Sequence, residues 1–305
     1  MAEIAAAKTV LVIAGPTAVG KTALSIEVAE AAGTGILSAD SRQCYQGMAI
    51  GTAQPGAEEL ARVPHHFINE LLVEDHFSAA RYESYGLEVI NQIFRKQDVA
   101  VVCGGTGLYL KALCEGLDET PEVDPAIAAD VDTTYKTEGL SWLQARVREE
   151  DPAGYASVDA QNPARLLRIL AFVRTTGHSL TKYQKRSPKT RSFRIVKYAL
   201  ELPRPLLYSR IEQRVDAMMD AGLLAEAQAL YPKRHLKALQ TVGYAELFEY
   251  FDGKWSLDEA VSKIKQHTRN YAKRQMTWFR NEGSYLPLAA DDPDAVAIML
   301  AAVRT

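Results

Sequence analysis

The chain has 305 residues, 47% of them hydrophobic and 24% charged, with a formal net charge of −3 and a pI near 6.1. This is ordinary for a soluble globular protein that buries a full core, and it leaves room for one large domain or two modest ones. The mean charge taken alone argues against a nucleic-acid partner, and no apolar run approaches the ~18 residues needed to span a bilayer.

The opening segment MAEIAAAKTVLVIAG lacks a basic n-region and reads as a first buried strand, not a signal peptide. Thr9 to Ala14 is a short β-branched run closed by Gly15-Pro16, as expected of a buried parallel strand. Lys21 to Ala32 has helical composition, with Gly33 as its stop. Ile36 to Ala39 gives a second short strand ending at Asp40-Ser41. Val99 to Cys103 gives a third, broken by Gly104-Gly105, after which Leu108 to Leu113 resumes helically. Strand, loop and helix in repetition predict an open parallel sheet, with its ligand crevice outside the carboxyl ends of the strands. From Pro121 to Lys189 the patterns are helical, notably Leu140 to Glu150 and Pro163 to Thr175. Ile195 to Leu202 returns to the sheet, and Leu206 to Tyr231 and Leu257 to Arg280 read as long helices. Asp291-Asp292-Pro293 opens a last helix. The expected fold class is α/β, a P-loop NTPase-like parallel sheet flanked by helices, with a helical insertion domain. Residues 1–115 and 195–305 form the expected core and residues 116–194 the insertion.

Cys44, Cys103 and Cys114 form no CxxC pair, which fits a reducing, cytoplasmic setting without disulfides or structural zinc. His65 and His66 have no third ligand nearby and read as loop residues, and Met218-Met219 reads as packing. Charge is segregated. Glu115 to Ala160 holds twelve acids against three bases, whereas Asn162 to Arg214 holds thirteen bases against two acids. Lys263 to Arg280 adds six bases and no acid. Two cationic stretches in an acidic chain suit a localised polyanion surface or a solvated helix face.

Gly15-Pro16-Thr17-Ala18-Val19-Gly20-Lys21-Thr22 matches GxxxxGK[ST] between a predicted strand and a predicted helix. Its backbone N–H groups and the helix N-terminus form an anion cradle, Lys21 adds a point charge, and the Thr22 hydroxyl suits Mg²⁺. A di- or triphosphate ligand follows. The later strand expected to supply a magnesium-binding acid ends instead in Cys103-Gly104-Gly105. Asp40 is the acid at a strand tip, as metal ligand, helix cap or general base. A diphosphate clamp beside a carboxylate fits a reaction in which diphosphate leaves. A small-molecule kinase lacks its metal acid here, and a GTP switch lacks its NKxD motif.

Eight ordered blocks resemble bacterial tRNA dimethylallyltransferases: GPTAVGKTALS, SADSRQCYQGMAIGTAQP, VPHHFI, GGTGLYLKAL, NPARLLRIL, RIEQRVDAM, QTVGYAEL and RNYAKRQMTWFR. The resemblance implies transfer of a dimethylallyl group from dimethylallyl diphosphate to N6 of the adenosine 3′ to the anticodon. Mg²⁺ would assist, and the helical insertion would grip the tRNA anticodon stem-loop. Separately, nothing in the sequence suggests an obligate protein partner, so a monomer is expected. It implies Asp40 as general base, Thr17 at the reacting centre, and Arg214, seconded by Arg210, on the diphosphate held by Gly15 to Thr22. It further implies RNA contacts at Asp40, Ser41, Arg42, Gln43, Thr106, Arg165, Arg168, Gln240, Thr241, Val242, Gly243, Tyr244, Lys273, Arg274, Gln275 and Arg280. Tyr271, Trp278 and Phe279 lie among those bases; helical spacing favours core for the last two. Many relatives carry an arginine shortly after the Asp124-Pro125 position, where this chain has Ala128 and Ala129. Transfer to free AMP is the related alternative, and it has no use for a basic insertion.

Overall fold

In the computed structural model, which describes residues 8–184, 187–282 and 284–304, the first apolar run forms β1 (Thr9–Ala14). There follow α1 (Lys21–Ala32), β2 (Ile36–Ser38), α2 (Ala57–Arg62), β3 (His65–His66), α3 (Ala79–Phe94), β4 (Val99–Gly104) and α4 (Gly107–Glu115). After α5 (Pro125–Glu150), α6 (Pro152–Ala156) and α7 (Pro163–Thr176), the chain returns as β5 (Arg194–Glu201). It ends with α8 (Arg204–Asp220), α9 (Leu223–Leu230), α10 (Tyr244–Phe251), α11 (Leu257–Asn281), β6 (Leu286–Ala289) and α12 (Ala295–Arg304). None of the helices among the described residues is long and apolar enough to cross a membrane. Lys185 and Arg186 of the cationic stretch lie outside the described residues.

The strands form one parallel sheet in the order β3-β2-β4-β1-β5-β6. β1 is central and every one of its residues is buried. Alternation splits it between two cores: Val10, Val12 and Ala14 face one, Leu11 and Ile13 the other. Burial on both faces explains why this strand reads as a continuous apolar run. Each fully buried aliphatic side chain contributes about 1.5–3 kcal/mol. The parallel arrangement brings the turns after β1, β2 and β4 to one end of the sheet, where ligand crevices form.

The chain divides into two compact units, Met1–Glu115 with Thr190–Thr305, and Gly116–Lys189. The second unit has its own core of Val131, Leu143, Val147, Leu166, Ile169, Leu170, Phe172 and Leu180. Its helices are capped locally. Asp124 Oδ1 accepts from Ala126 N at 2.8 Å, and Asn162 Oδ1 accepts from Arg165 N at 3.3 Å. Arg174 grips Glu150 through two bonds of 2.9 and 2.7 Å, so part of the cationic stretch is internally neutralised.

Two expectations are corrected. Leu206 to Tyr231 is two helices, because Gly222 takes a left-handed φ of 101° between α8 and α9. Histidines 65 and 66 form the short strand β3 paired with Ile36 and Leu37, where a loop was expected.

Candidate active site

The turn after β1 is built by left-handed residues. Ala18 has φ 63° and Gly20 φ 110°, the kind of backbone that gathers N–H groups into an anion-binding concavity. A left-handed alanine costs roughly 1–2 kcal/mol, a strain characteristic of ligand clamps. α1 starts at Lys21 and points its free N–H groups toward the same place. The Lys21 ammonium donates to Pro16 O at 2.8 Å. Burial pushes its pKa down from 10.5 to about 8, opposed by Cys103 and Asp40 and reinforced by Arg214. Burial likewise lowers the pKa of Arg214. Arg210 braces the loop from behind by donating to Val19 O at 3.3 Å.

Asp40 follows β2. Its Oδ1 accepts from Arg42 N at 2.8 Å and Gln43 N at 3.2 Å, while among the described residues Oδ2 has no hydrogen-bond partner. One oxygen therefore caps a turn and the other is free for chemistry. The turn after β4 packs directly against this one. A Cβ on Gly104 would lie 2.3 Å from Ala39 O, so only glycine fits. Thr106 N donates to Ala39 O at 3.1 Å, and Thr106 Oγ1 accepts from Ser41 N at 3.1 Å.

Two adjoining cavities open at these turns. One, of about 330 Å³, is lined by Thr17, Lys21, Thr22, Asp40, Glu59, Cys103 and Arg214, among others. The second, of about 220 Å³, shares Thr17, Asp40, Thr52, Ala53, Arg214 and Tyr271 with it. Beyond that shared wall it is lined by Val215, Met218, Leu223, Val242 and Ile264. An anion-binding end thus meets an apolar end, with a carboxylate and a threonine hydroxyl at the boundary. Burial raises the pKa of Cys103, although Lys21 opposes it, which keeps it a thiol.

The family model described as IPP transferase matches residues 43–282. The chain belongs to that family. It is 46% identical over 274 residues to tRNA dimethylallyltransferase 1 of Phocaeicola vulgatus, covering 90% of this chain and 91% of that protein. The full-length tRNA isopentenylpyrophosphate transferase of Bacillus halodurans superposes with a TM-score of 0.72 at 33% identity, over 97% of this chain and 96% of that one. A eukaryotic dimethylallyltransferase acting on tRNA gives a TM-score of 0.77 at 26% identity, over 96% of this chain and 77% of that one.

Within this IPP transferase fold, Thr17, Ala18, Gly20, Lys21, Thr22, Asp40 and Arg214 line one cavity together, whereas Gly15, Pro16 and Val19 do not line it. Arg42, Thr241, Val242 and Gly243 line the apolar cavity, and Gln43 lines the anionic one. Lys273, Arg274 and Arg280 are exposed on α11, and Arg165 and Arg168 are exposed on α7. Gln240 is exposed as well. Two expected RNA contacts are corrected. Tyr244 is fully buried and donates its hydroxyl to Glu226 at 2.6 Å, and Gln275 is 6% exposed with its amide engaged internally. Met218 and Met219 pack against the core as expected, and Met218 also lines the apolar cavity. Phe279 is core, Trp278 is partly buried against it, and Tyr271 lines both cavities.

Glu226 escaped the sequence reading. Its carboxylate accepts from Ile50 N at 2.9 Å and Gly51 N at 2.8 Å, as well as from Tyr244. Gln43 Nε2 holds the same segment by donating to Thr52 O at 3.2 Å and Ala53 O at 2.7 Å. These bonds fix the wall shared by the two cavities. A lone glutamate on a short, mostly apolar helix carries no signal of that role.

Proposed function

We propose that this chain transfers a dimethylallyl group from dimethylallyl diphosphate to N6 of the adenosine 3′-adjacent to the anticodon in tRNA, releasing diphosphate. The observation that carries the reading is the shared wall: a phosphate cradle and an apolar cavity meet at Asp40 and Thr17. A kinase would also need an acceptor site beside the loop, but it would need a metal-binding acid at the end of β4, where this chain has Cys103-Gly104-Gly105. The named relatives act in the same sense.

The diphosphate sits in the loop against Lys21 and Arg214, and the five-carbon chain lies along Val215, Met218 and Leu223. The target adenine leaves its stack and enters between Asp40 and Tyr271. Extrusion is cheapest from a single-stranded loop, which favours an anticodon loop over a duplex. N6 attacks the allylic carbon as the C–O bond to diphosphate breaks, and Asp40 Oδ2 takes the N6 proton. That proton transfer contributes about 10²–10⁴-fold. Charge that develops on the leaving diphosphate falls on the loop N–H groups, Lys21 and Arg214.

Thr22 lines the anionic cavity, and among the described residues no group of three or more His, Cys, Asp and Glu offers a metal cage. Such a donor set fits Mg²⁺ held mainly by substrate phosphates and water. Bound there, Mg²⁺ would offset charge on the leaving group. Arg165, Arg168, Lys273, Arg274 and Arg280 meet tRNA phosphates, which makes binding salt-dependent. The reading places a monomer in the cytoplasm.

The test is transfer of labelled dimethylallyl diphosphate to unmodified tRNA, wild type beside Asp40→Asn. Asparagine keeps the Oδ1 turn contacts and removes the base. Label entering tRNA in wild type, and reduced by about 10²–10⁴-fold in the variant, supports the reading. ATP consumption without labelled RNA refutes it.

A further inference from the structure

Gln275 stands on α11 among exposed bases, yet it is 6% exposed and turned into the sheet's loop end. Its Oε1 accepts from Thr17 N at 2.9 Å, and its Nε2 donates to Gly105 O at 2.9 Å. The amide orientation is fixed by these partners. Flipped, it would set donor against donor at Thr17 and acceptor against acceptor at Gly105. A Cβ on Gly105 would lie 2.3 Å from Gln275 Nε2, so the glycine is what admits the amide. One side chain therefore ties the turn after β1 to the turn after β4, and these turns are remote in sequence.

We propose that Gln275 is a positioning residue that sets the phosphate loop, and with it the Thr17 side chain, through the bridge from Thr17 N to Gly105 O. The proposal rests on the prenyl-transfer reading for its catalytic consequence, though not for its effect on the loop. A neutral amide supplies a donor and an acceptor across this span at any pH, which a carboxyl group does only when protonated. With the Thr17 N–H engaged by protein, the rest of the loop is left to receive phosphate oxygens. Thr17 lines both cavities, so a shift of its backbone misplaces a group at the reacting centre. The same helix presents Lys273 and Arg274 outward. The surface that meets RNA and the brace on the phosphate loop are thus two faces of one rigid element.

The test compares wild type, Gln275→Glu and Gln275→Met. Glutamate accepts from Thr17 N in either protonation state, but it donates to Gly105 O only when protonated. Burial and the facing carbonyl raise its pKa. Asp40 and Glu59 in the same cavity act in that direction too, while Lys21 and Arg214 oppose it, and Cys103 and Tyr271 complete the titratable surroundings. Wild type shares all of these groups, so the ratio of variant to wild type isolates position 275.

Two readouts are taken across the neutral range, the Kd for inorganic diphosphate and the kcat and KM for transfer. At the alkaline end both variants bind diphosphate about tenfold more weakly than wild type, and their kcat falls by on the order of 10²-fold. As pH is lowered, the Gln275→Glu ratio climbs back toward wild type, whereas the Gln275→Met ratio stays low. A Gln275→Glu ratio flat with pH, or wild-type diphosphate affinity in both variants, overturns the proposal. A direct contact of Gln275 with RNA predicts instead a raised KM for tRNA at unchanged diphosphate Kd, which also overturns it. Should wild type bind diphosphate and transfer nothing, the functional reading fails. The Kd ratios then still decide the role of Gln275.

Discussion

Lys21 is held at an energetic disadvantage until an anion arrives, and pH exposes this. The residue as a whole is only half-buried, but its ammonium is enclosed, and burial is the main cause of its pKa falling from 10.5 to about 8. That difference corresponds to about 3 kcal/mol. Well below pH 8 the lysine is charged whether folded or unfolded, and the fold bears the full cost. Between about 8 and 10.5 the folded state gives up the proton while the unfolded chain keeps it, so this group's contribution to stability rises with pH. Removing the charge by Lys21→Met should stabilise the ligand-free protein by up to about 3 kcal/mol at neutral pH. The advantage should disappear toward pH 10.5. Bound diphosphate reverses the balance by drawing the pKa back up. Affinity in wild type, relative to Lys21→Met, should weaken by about tenfold per pH unit above 8. Urea unfolding across pH measures the first effect. Calorimetry of inorganic diphosphate, wild type beside variant, measures the second. A Lys21→Met protein less stable than wild type at neutral pH, or identical pH profiles for diphosphate, would refute the reasoning.

Gly104→Ala should cost about 1–3 kcal/mol in urea unfolding, because its Cβ would overlap Ala39 O and part the ends of β2 and β4; wild-type stability would show that the two turns yield. Met218→Ala should lengthen the apolar cavity one helical turn beyond Arg214, a rise of about 6 Å. Its kcat/KM ratio for a ten-carbon over a five-carbon prenyl diphosphate should rise about tenfold, and an unchanged ratio would remove Met218 from the cavity's end. Lys273→Ala and Arg274→Ala should each weaken RNA binding across sequences. Each should also lower the slope of log K against log salt by about 1, and an unchanged slope would place the phosphates elsewhere.

The phosphate loop was legible because its chemistry is local. Glycines at fixed spacing, a preceding apolar strand and a following helix suffice to define the cradle. Asp40 was legible as a strand-tip acid, but the division of labour between its two oxygens depends on the turn at Arg42 and Gln43. Gln275 was misread because neighbours of a matching block were treated alike. On a helix, adjacent positions point to different sides. Its spacing from the buried Ala272 and Phe279 was the available signal. Tyr244 was misread for a different reason, since what turns it inward is Glu226 on another helix. Contacts between distant segments such as these leave no periodic trace. Gly222, by contrast, was a visible stop inside a pattern long enough to hide it.

The central position of β1 also governs how the chain must assemble. Thr9–Ala14 pairs on one side with Val99–Gly104 and on the other with Arg194–Glu201. As the chain emerges from the ribosome, its most apolar strand therefore waits with one edge unpaired until the whole of Gly116–Lys189 has been made. That intervening stretch has a core of its own, so it can collapse while the edge is still open. Completion of the sheet is a late, long-range event, slow to nucleate and open to misassociation until β5 arrives. Lesions that slow the closing of β5 onto β1 should lower the yield of folded protein more than its equilibrium stability.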